Sequence, residues 1–270
     1  EEDTPMQETL PTTDYISFSL VNNQSWGDES RSSDAAAHKA GNIVLRSENS
    51  GDTLCVQTSV SKIIDAPNSR AIETNTDNLS NFGVFGEQIN ESQNNMFIEN
   101  EYVSGSKDNY TTANKYYWID GFTYNFYAYA PHSNIGKGVS VDNDTQILTY
   151  NLLQNNTPLQ VSDHSDIMIA RKTGATIGEK VQFDFEHICA QVVFSLAQDL
   201  PGTVQSITIH NVYAEGTYNI KNGTAWNIDT SKMTDITISA TDGAISDGTM
   251  MLLPQVLSDN NTITVSFLYE

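Results

Sequence analysis

The sequence predicts an all-β protein of the β-sandwich class. Strand-like runs recur every ten to fifteen residues along the chain, helix periodicity is nearly absent, and one aromatic stretch, Tyr116–Pro131, alternates between two faces. In that stretch Asp120-Gly121 has the composition of a two-residue hairpin turn that accepts positive φ. Phe122, Tyr124, Phe126 and Ala128 fall on one face of the following strand, and Thr123, Asn125, Tyr127 and Tyr129 on the other. Tyr116 and Trp118 are expected on an incoming strand, packed across the hairpin. Pro131 has no N–H to give to a ladder and ends the run.

The first run is Tyr15–Val21, in which Ile16, Phe18 and Leu20 share the inner parity. A polar, Ala-rich stretch with a short helix around Ser33–Lys39 follows, then strands at Ile43–Leu45 and Leu54–Val60. After a loop from Asp65 to Asn81 come Phe82–Phe85 and Asn95–Val103, a turn at Ser104–Asn109, and the aromatic hairpin. Val139–Val141 and Gln146–Tyr150 flank an Asp/Asn turn, and Asp166–Ala170 is a short buried strand. Lys172–Lys180 is polar with two glycines, which places a domain boundary there.

Beyond it, Val181, Phe183 and Phe185 share one parity, whereas Ile188, Ala190, Val192, Phe194 and Leu196 share the other. The switch at Glu186-His187 predicts a bulge or a strand crossing between sheets. Val204–Val212 follows with Ile207 and Ile209 inward. Gly216–Ile220, Ile236–Ile238, Met250–Leu253 and Thr262–Tyr269 complete the strands. The division is thus a tail over 1–14, one β-sandwich domain over 15–172 and a second over 173–270.

Composition narrows the function. With 270 residues and 38% hydrophobic content the chain has enough apolar material for real cores. A formal net charge of −21 repels phosphate, which argues against nucleic acid and anionic membranes as partners. No apolar run approaches the ~20 residues of a spanning helix, and no signal peptide is visible. The polar, acidic opening EEDTPMQETLPTTD looks like a mature or trimmed N-terminus, with a surface tether expected outside this sequence. Cys55 and Cys189 each sit in an apolar run, so the residues leave open one bridge or two small buried side chains.

No motif carries catalysis. Asp163-His164-Ser165-Asp166 holds acid, base and nucleophile types, but neighbours on an extended chain point to opposite faces and cannot form a triad. His187 reads as a hydrogen-bonded core histidine, since Asp184 and Glu186 are poorly placed as co-ligands. Asp142-Asn143-Asp144 begins like a calcium loop, yet its sixth position is not Gly and its twelfth is Leu153. Asp242–Asp247 is equally incomplete. Turn chemistry explains both. No cofactor is expected. Tyr127 and Tyr129 are candidate exposed aromatic contacts for sugar rings if their face is open, and ordinary covered residues if loops or a second sheet lie over it. A surface glycan-binding lipoprotein is therefore the alternative to the reading that follows.

Several fragments in order resemble the Bacteroidetes fimbrillin-like family of surface pilus subunits, also described as Mfa-like. They are Tyr117-Trp118 with Tyr124–Pro131 (YNFYAYAP), Asp166–Ala170 (DIMIA), and Phe185–Ala190 (FEHICA) running into Val192-Val193-Phe194. Ile207–Tyr218 (ITIHNVYAEGTY), Trp226 and Leu252–Gln255 (LLPQ) complete the set. The resemblance implies two transthyretin-like β-sandwich domains in tandem, export as a lipoprotein to the outer membrane surface, and a non-enzymatic role in adhesion. It also implies assembly with other fimbrial subunits by strand exchange, after an arginine-specific protease removes the first strand. Here that strand holds Ile16, Phe18 and Leu20. The sequence has four arginines, and Arg31 and Arg70 lie in loop-like stretches where proteases act; Arg70 looks like the family's Arg-Ala junction. Host or microbial surface ligands are the further partners implied. The family's Gly-x-x-Tyr-like last strand has no counterpart before Glu270. The expectation is a truncated second domain, or a last strand supplied by another molecule.

Overall fold

The computed structural model describes residues 15–21, 41–46, 53–58, 79–106, 109–195, 202–239, 247–257 and 260–269. The first strands in chain order are β1 (Phe18–Leu20), β2 (Gly41–Arg46), β3 (Thr53–Thr58), β4 (Asn81–Ile89), β5 (Asn94–Ser106), β6 (Asn109–Thr112) and β7 (Thr123–Ala130). Next come β8 (Val139–Asp142), β9 (Ile147–Asn151), β10 (Leu153–Gln154), β11 (Thr157–Pro158), β12 (Met168–Ala175), β13 (Val181–Phe183) and β14 (Glu186–His187). The last are β15 (Ala190–Ser195), β16 (Gly202–Tyr213), β17 (Glu215–Asn219), β18 (Asn227–Ile228), β19 (Met233–Ser239), β20 (Asp247–Leu252) and β21 (Ile263–Tyr269). Among the described residues the only helical pieces are 3-10 turns at His132–Asn134 and Val161–Asp163, and no helix is long and apolar enough to cross a membrane.

The chain divides into two compact units, residues 24–67 and the remainder. In the smaller unit β2 and β3 form an antiparallel hairpin with Ile43 opposite Val56 and Leu45 opposite Leu54. The larger unit is built on an eight-stranded sheet in the order β13-β1-β6-β5-β4-β7-β12-β14. With it go a four-stranded sheet (β18-β17-β9-β8), a three-stranded sheet (β19-β16-β21) and the pairs β15-β20 and β10-β11. Pairing runs across residue 172 in both directions. β13 joins the eight-stranded sheet through β1, and β9 pairs with β17.

Side-chain alternation on the central strands explains how two cores share one wall. Even-numbered residues of β7 (Tyr124, Phe126, Ala128, Ala130) enter a first core with Phe18, Phe82, Tyr110 and Phe183. Tyr127 and Tyr129 enter a second core with Leu148, Tyr150, Ile207, Ile209, Ile236 and Met250. β12 divides the same way, Met168 and Ala170 to the first core and Ile169 to the second. An antiparallel sheet usually leaves one face wet; this one is covered on both faces at its centre, which is why Phe126–Ala130 reads as an unbroken apolar run.

The first core also shows that the large sheet curls. β1 and β4 are three positions apart, about 14 Å across a flat sheet at ~4.8 Å per strand. Yet the rings of Phe18 and Phe82 have centroids 6.0 Å apart, and Phe18 and Phe126 5.9 Å. The sheet closes on its own aromatic face.

Two expectations need correction. Tyr116–Trp118 does not pair with the strand after Asp120-Gly121, because both edges of β7 are already taken by β4 and β12. The turn itself is present, with Gly121 at φ 83°. Tyr117 bridges Tyr15 instead, and Trp118 packs edge-on against Tyr124 at 4.7 Å. The reversal expected at Ser104–Asn109 is narrower: β5 runs to Ser106 and β6 starts at Asn109, antiparallel and with those two residues opposed. The parity switch at Glu186-His187 is a crossing between sheets. β13 and β14 belong to the eight-stranded sheet, and β15 pairs with β20 in another.

Candidate functional site: the first strand and its slot

Residues 15–21 thread between two segments from distant parts of the chain. On one side Tyr15 bridges Tyr117, the Ile16 N–H donates to the Tyr116 carbonyl at 2.7 Å, and Phe18 stands opposite Tyr110. On the other, β1 runs parallel to β13 with Phe18, Ser19 and Leu20 opposite Val181, Gln182 and Phe183. The Val181 N–H donates to the Ser17 carbonyl at 3.0 Å and the Val21 N–H to the Phe183 carbonyl at 2.8 Å.

Ile16, Phe18 and Leu20 are buried, at 2%, 0% and 7% exposure, while Tyr15 and Val21 at the two ends are exposed. Phe18 stacks on Phe183 and meets Phe82 and Phe126. Burying each such side chain contributes about 1.5–3 kcal/mol. Taking the strand out would bare those rings and leave backbone groups of residues 116 and 181–183 without partners, which an incoming strand of the same alternation would restore. The sequence does not mark the slot walls Tyr110, Phe82 and Phe183 as site residues; the run Phe82–Phe85 and the shared parity of Val181, Phe183 and Phe185 are their traces there.

Of the four arginines, Arg31 and Arg70 lie outside the described residues, and Arg46 ends β2. Arg171 is tied down. Its Nε donates to the Ile220 carbonyl at 2.7 Å and its Nη2 to the Gly223 carbonyl at 2.8 Å. The tail 1–14 and the stretch Ser33–Lys39 also lie outside.

Tyr127 and Tyr129 are corrected from candidate exposed contacts to buried residues, at 4% and 0% exposure. The second core covers their face, and each hydroxyl is used: Tyr127 donates to Glu87 Oε2 at 2.8 Å and Tyr129 to Asn100 Oδ1 at 2.7 Å. Burial raises both phenol pKa values above their ordinary range.

The polar stretch Asp163–Asp166 does not converge. His164 and Ser165 are buried, and among the described residues neither His164 ring nitrogen nor Ser165 Oγ meets a partner in hydrogen-bonding geometry. Burial pushes the His164 pKa down to about 4. Asp166 Oδ1, on the approach to β12, lies 2.9 Å from His187 Nδ1. Asp142 is consumed by its own turn, accepting from Thr145 N–H and Oγ1–H at 2.8 Å each, which holds its carboxyl below the usual range. Most of Asp242–Asp247 lies outside the described residues. Cys189 is a free, buried thiol facing the Ser165 carbonyl at 3.6 Å; the Cys55 side chain is outside the described set.

Residues 69–270 match the family model described as fimbrillin-like. No curated protein matches the chain. Among solved structures, a candidate cell adhesion protein from Bacteroides uniformis aligns with TM-score 0.53 at 17% identity, over 70% of this chain and 73% of that one. A second candidate cell adhesion protein, from Bacteroides ovatus, aligns over 84% of each chain at 15% identity with TM-score 0.46. A fimbrial protein from Bacteroides ovatus aligns over 74% of this chain and 41% of that one, at 14% identity and TM-score 0.35. The first alignment supports the shared all-β fold, and the family match spans three-quarters of the chain: this protein belongs to the fimbrillin-like family.

Proposed function

We propose that the protein is a non-enzymatic fimbrial subunit of the cell surface that assembles with other subunits by exchange of its first strand. Family membership supports the surface, fimbrial and adhesive character. The observation that carries the finer reading is the seating of Ile16, Phe18 and Leu20 in a slot walled by residues more than sixty positions away. In this reading an arginine-specific protease cuts at Arg31 or Arg70, β1 leaves, and a strand from a neighbouring subunit takes its place. Export as an outer-membrane lipoprotein and the tandem sandwich division at residue 172 belong to the same proposal. Two separate aromatic-aliphatic cores fit a pair of sandwiches, with each core drawing residues from both sides of position 172.

Limited digestion of the folded protein with trypsin, followed by electrophoresis without boiling and electron microscopy, tests it. The expected result is a first cut at Arg31 or Arg70, then concentration-dependent ladders and filaments. Resistance at both arginines, or a cut protein that stays monomeric and is retarded by a polysaccharide in a native gel, would overturn it in favour of a glycan-binding surface protein.

A further inference from the structure

Four side chains from three distant segments meet where the first sheet touches the turn after β17. Glu87 on β4 is 5% exposed, although it carries a carboxylate. Lys221, from the turn, forms an ion pair with Glu87 Oε1 and lies 5.7 Å from the centre of the Tyr127 ring. Tyr127 gives its hydroxyl hydrogen to Glu87 Oε2 at 2.8 Å, and the Asn125 carboxamide accepts from the Gly174 N–H through Oδ1 at 3.0 Å. Asn125 is the direct cross-strand partner of Glu87 in the β4-β7 ladder; opposed residues of such a pair bring their Cβ atoms to about 5 Å. Arg171 holds the turn that presents Lys221 by donating to the carbonyls of Asn219, Ile220 and Gly223.

We propose that this cluster forms an intramolecular amide bond between Lys221 Nζ and the side-chain carbonyl of Asn125, with Glu87 moving the proton. A buried carboxylate touching an amine on one side, and standing across the strand pair from a carboxamide on the other, is an acid–base group placed between nucleophile and electrophile. Fixing all three on packed strands and a clamped turn removes the entropic cost of bringing them together. Glu87 takes a proton from the Lys221 ammonium, and the freed amine attacks Asn125 Cγ. The new C–N bond forms as the old one to Nδ2 breaks. The proton held by Glu87 and the one shed by the attacking nitrogen as it becomes an amide both go to the leaving nitrogen, which departs as ammonium. One ammonium and one carboxamide become one secondary amide and one ammonium ion, with no oxidant, and Glu87 is returned as carboxylate. The product is a covalent tie between β7 and the turn after β17, fastening the two cores' shared wall to the four-stranded sheet. The assignment is independent of strand exchange.

Intact mass of the purified full chain is the test, followed by proteolysis and mapping of branched peptides. The expected result is a chain lighter by one ammonia, with a peptide joining Lys221 to Asn125. Lys221→Arg and Asn125→Ala abolish the loss, and Glu87→Gln abolishes it while far-ultraviolet circular dichroism stays that of the parent. Asn222→Ala keeps the loss, which separates this chemistry from succinimide formation at Asn222-Gly223. An unmodified mass that stays unmodified on prolonged incubation overturns the proposal. So does loss of water with a link to Glu87, or loss of ammonia that maps to residue 222.

Discussion

The rings of Phe18 and Phe183 lie stacked, 8° from parallel with centroids 5.7 Å apart, although the residues stand 165 positions apart in the sequence. That contact joins the first strand to β13 and faces Phe82 and Phe126 across the curled sheet. Phe18 is fully buried and surrounded by rigid rings, so the site has little means of collapsing around a hole. Phe18→Ala is expected to cost about 3–5 kcal/mol in urea unfolding. Tyr15→Ala, at the exposed end of the same segment, is expected to stay within about 0.5 kcal/mol. Equal effects at the two positions would remove the distinction between a seated strand and a loosely held one.

Gly83 tests the packing of β4 against β7. A Cβ added there would land on the ring of Tyr129, whose face is held by the second core and whose hydroxyl is bonded to Asn100. The ring cannot swing aside without losing that bond, so Gly83→Ala should destabilise by about 1–3 kcal/mol. Combining it with Tyr129→Leu should restore part of the loss. A neutral Gly83→Ala in thermal unfolding would show that the two strands pack less tightly.

His164 gives the protein an acid-sensitive point. Its folded pKa of about 4 lies below the ordinary 6.5 because burial disfavours the imidazolium. Between those values the unfolded chain binds the extra proton, so this contribution is complete above pH 6.5 and is lost as pH falls toward 4. The full span is worth about 3 kcal/mol. Carboxylate titration on a chain of net charge −21 acts over the same range, so the measurement is a difference. Urea unfolding of the parent and His164→Leu at pH 7 and pH 4.5 should show a smaller pH dependence in the variant. Parallel curves would contradict the assignment.

The Cys189 thiol is buried and its pKa is pushed up by desolvation and by the nearby Asp166 carboxylate. Thiolate is the reactive form. In a Cys55→Ser background the folded protein should therefore resist iodoacetamide at pH 8 and become fully labelled in urea. Rapid labelling without denaturant would show that the second core opens.

Local alternation carried much of this fold and little of its long-range chemistry. The parity of Tyr124, Phe126 and Ala128 against Tyr127 and Tyr129 sorted β7 between its two cores. The parity break at Glu186-His187 marked the crossing from one sheet to another. Whether the second face of β7 is dry depends on later strands, from β9 to β20, which the spacing of Tyr127 and Tyr129 cannot register. The hairpin reading of Asp120-Gly121 failed for a related reason: a turn signal describes two neighbouring residues, whereas pairing depends on which edges remain open. β6 was hidden because Tyr110 is its single buried residue. The Glu87–Lys221 pair, the clamp from Arg171 and the Asp166–His187 contact join residues 21 to 134 positions apart. No local pattern announces them.

The central claim is that the slot holding Ile16, Phe18 and Leu20 accepts an equivalent strand once the resident one is cut loose. Uptake of a fluorescent synthetic peptide spanning residues 14–22 by trypsin-cut, folded protein measures this directly, read as fluorescence on the protein band in an unboiled gel. The account predicts uptake by the cut protein, none by the intact protein, and none when the peptide carries Phe18→Asp. Cut protein that releases its first segment and still refuses the parent peptide, or takes up both peptides equally, would contradict it.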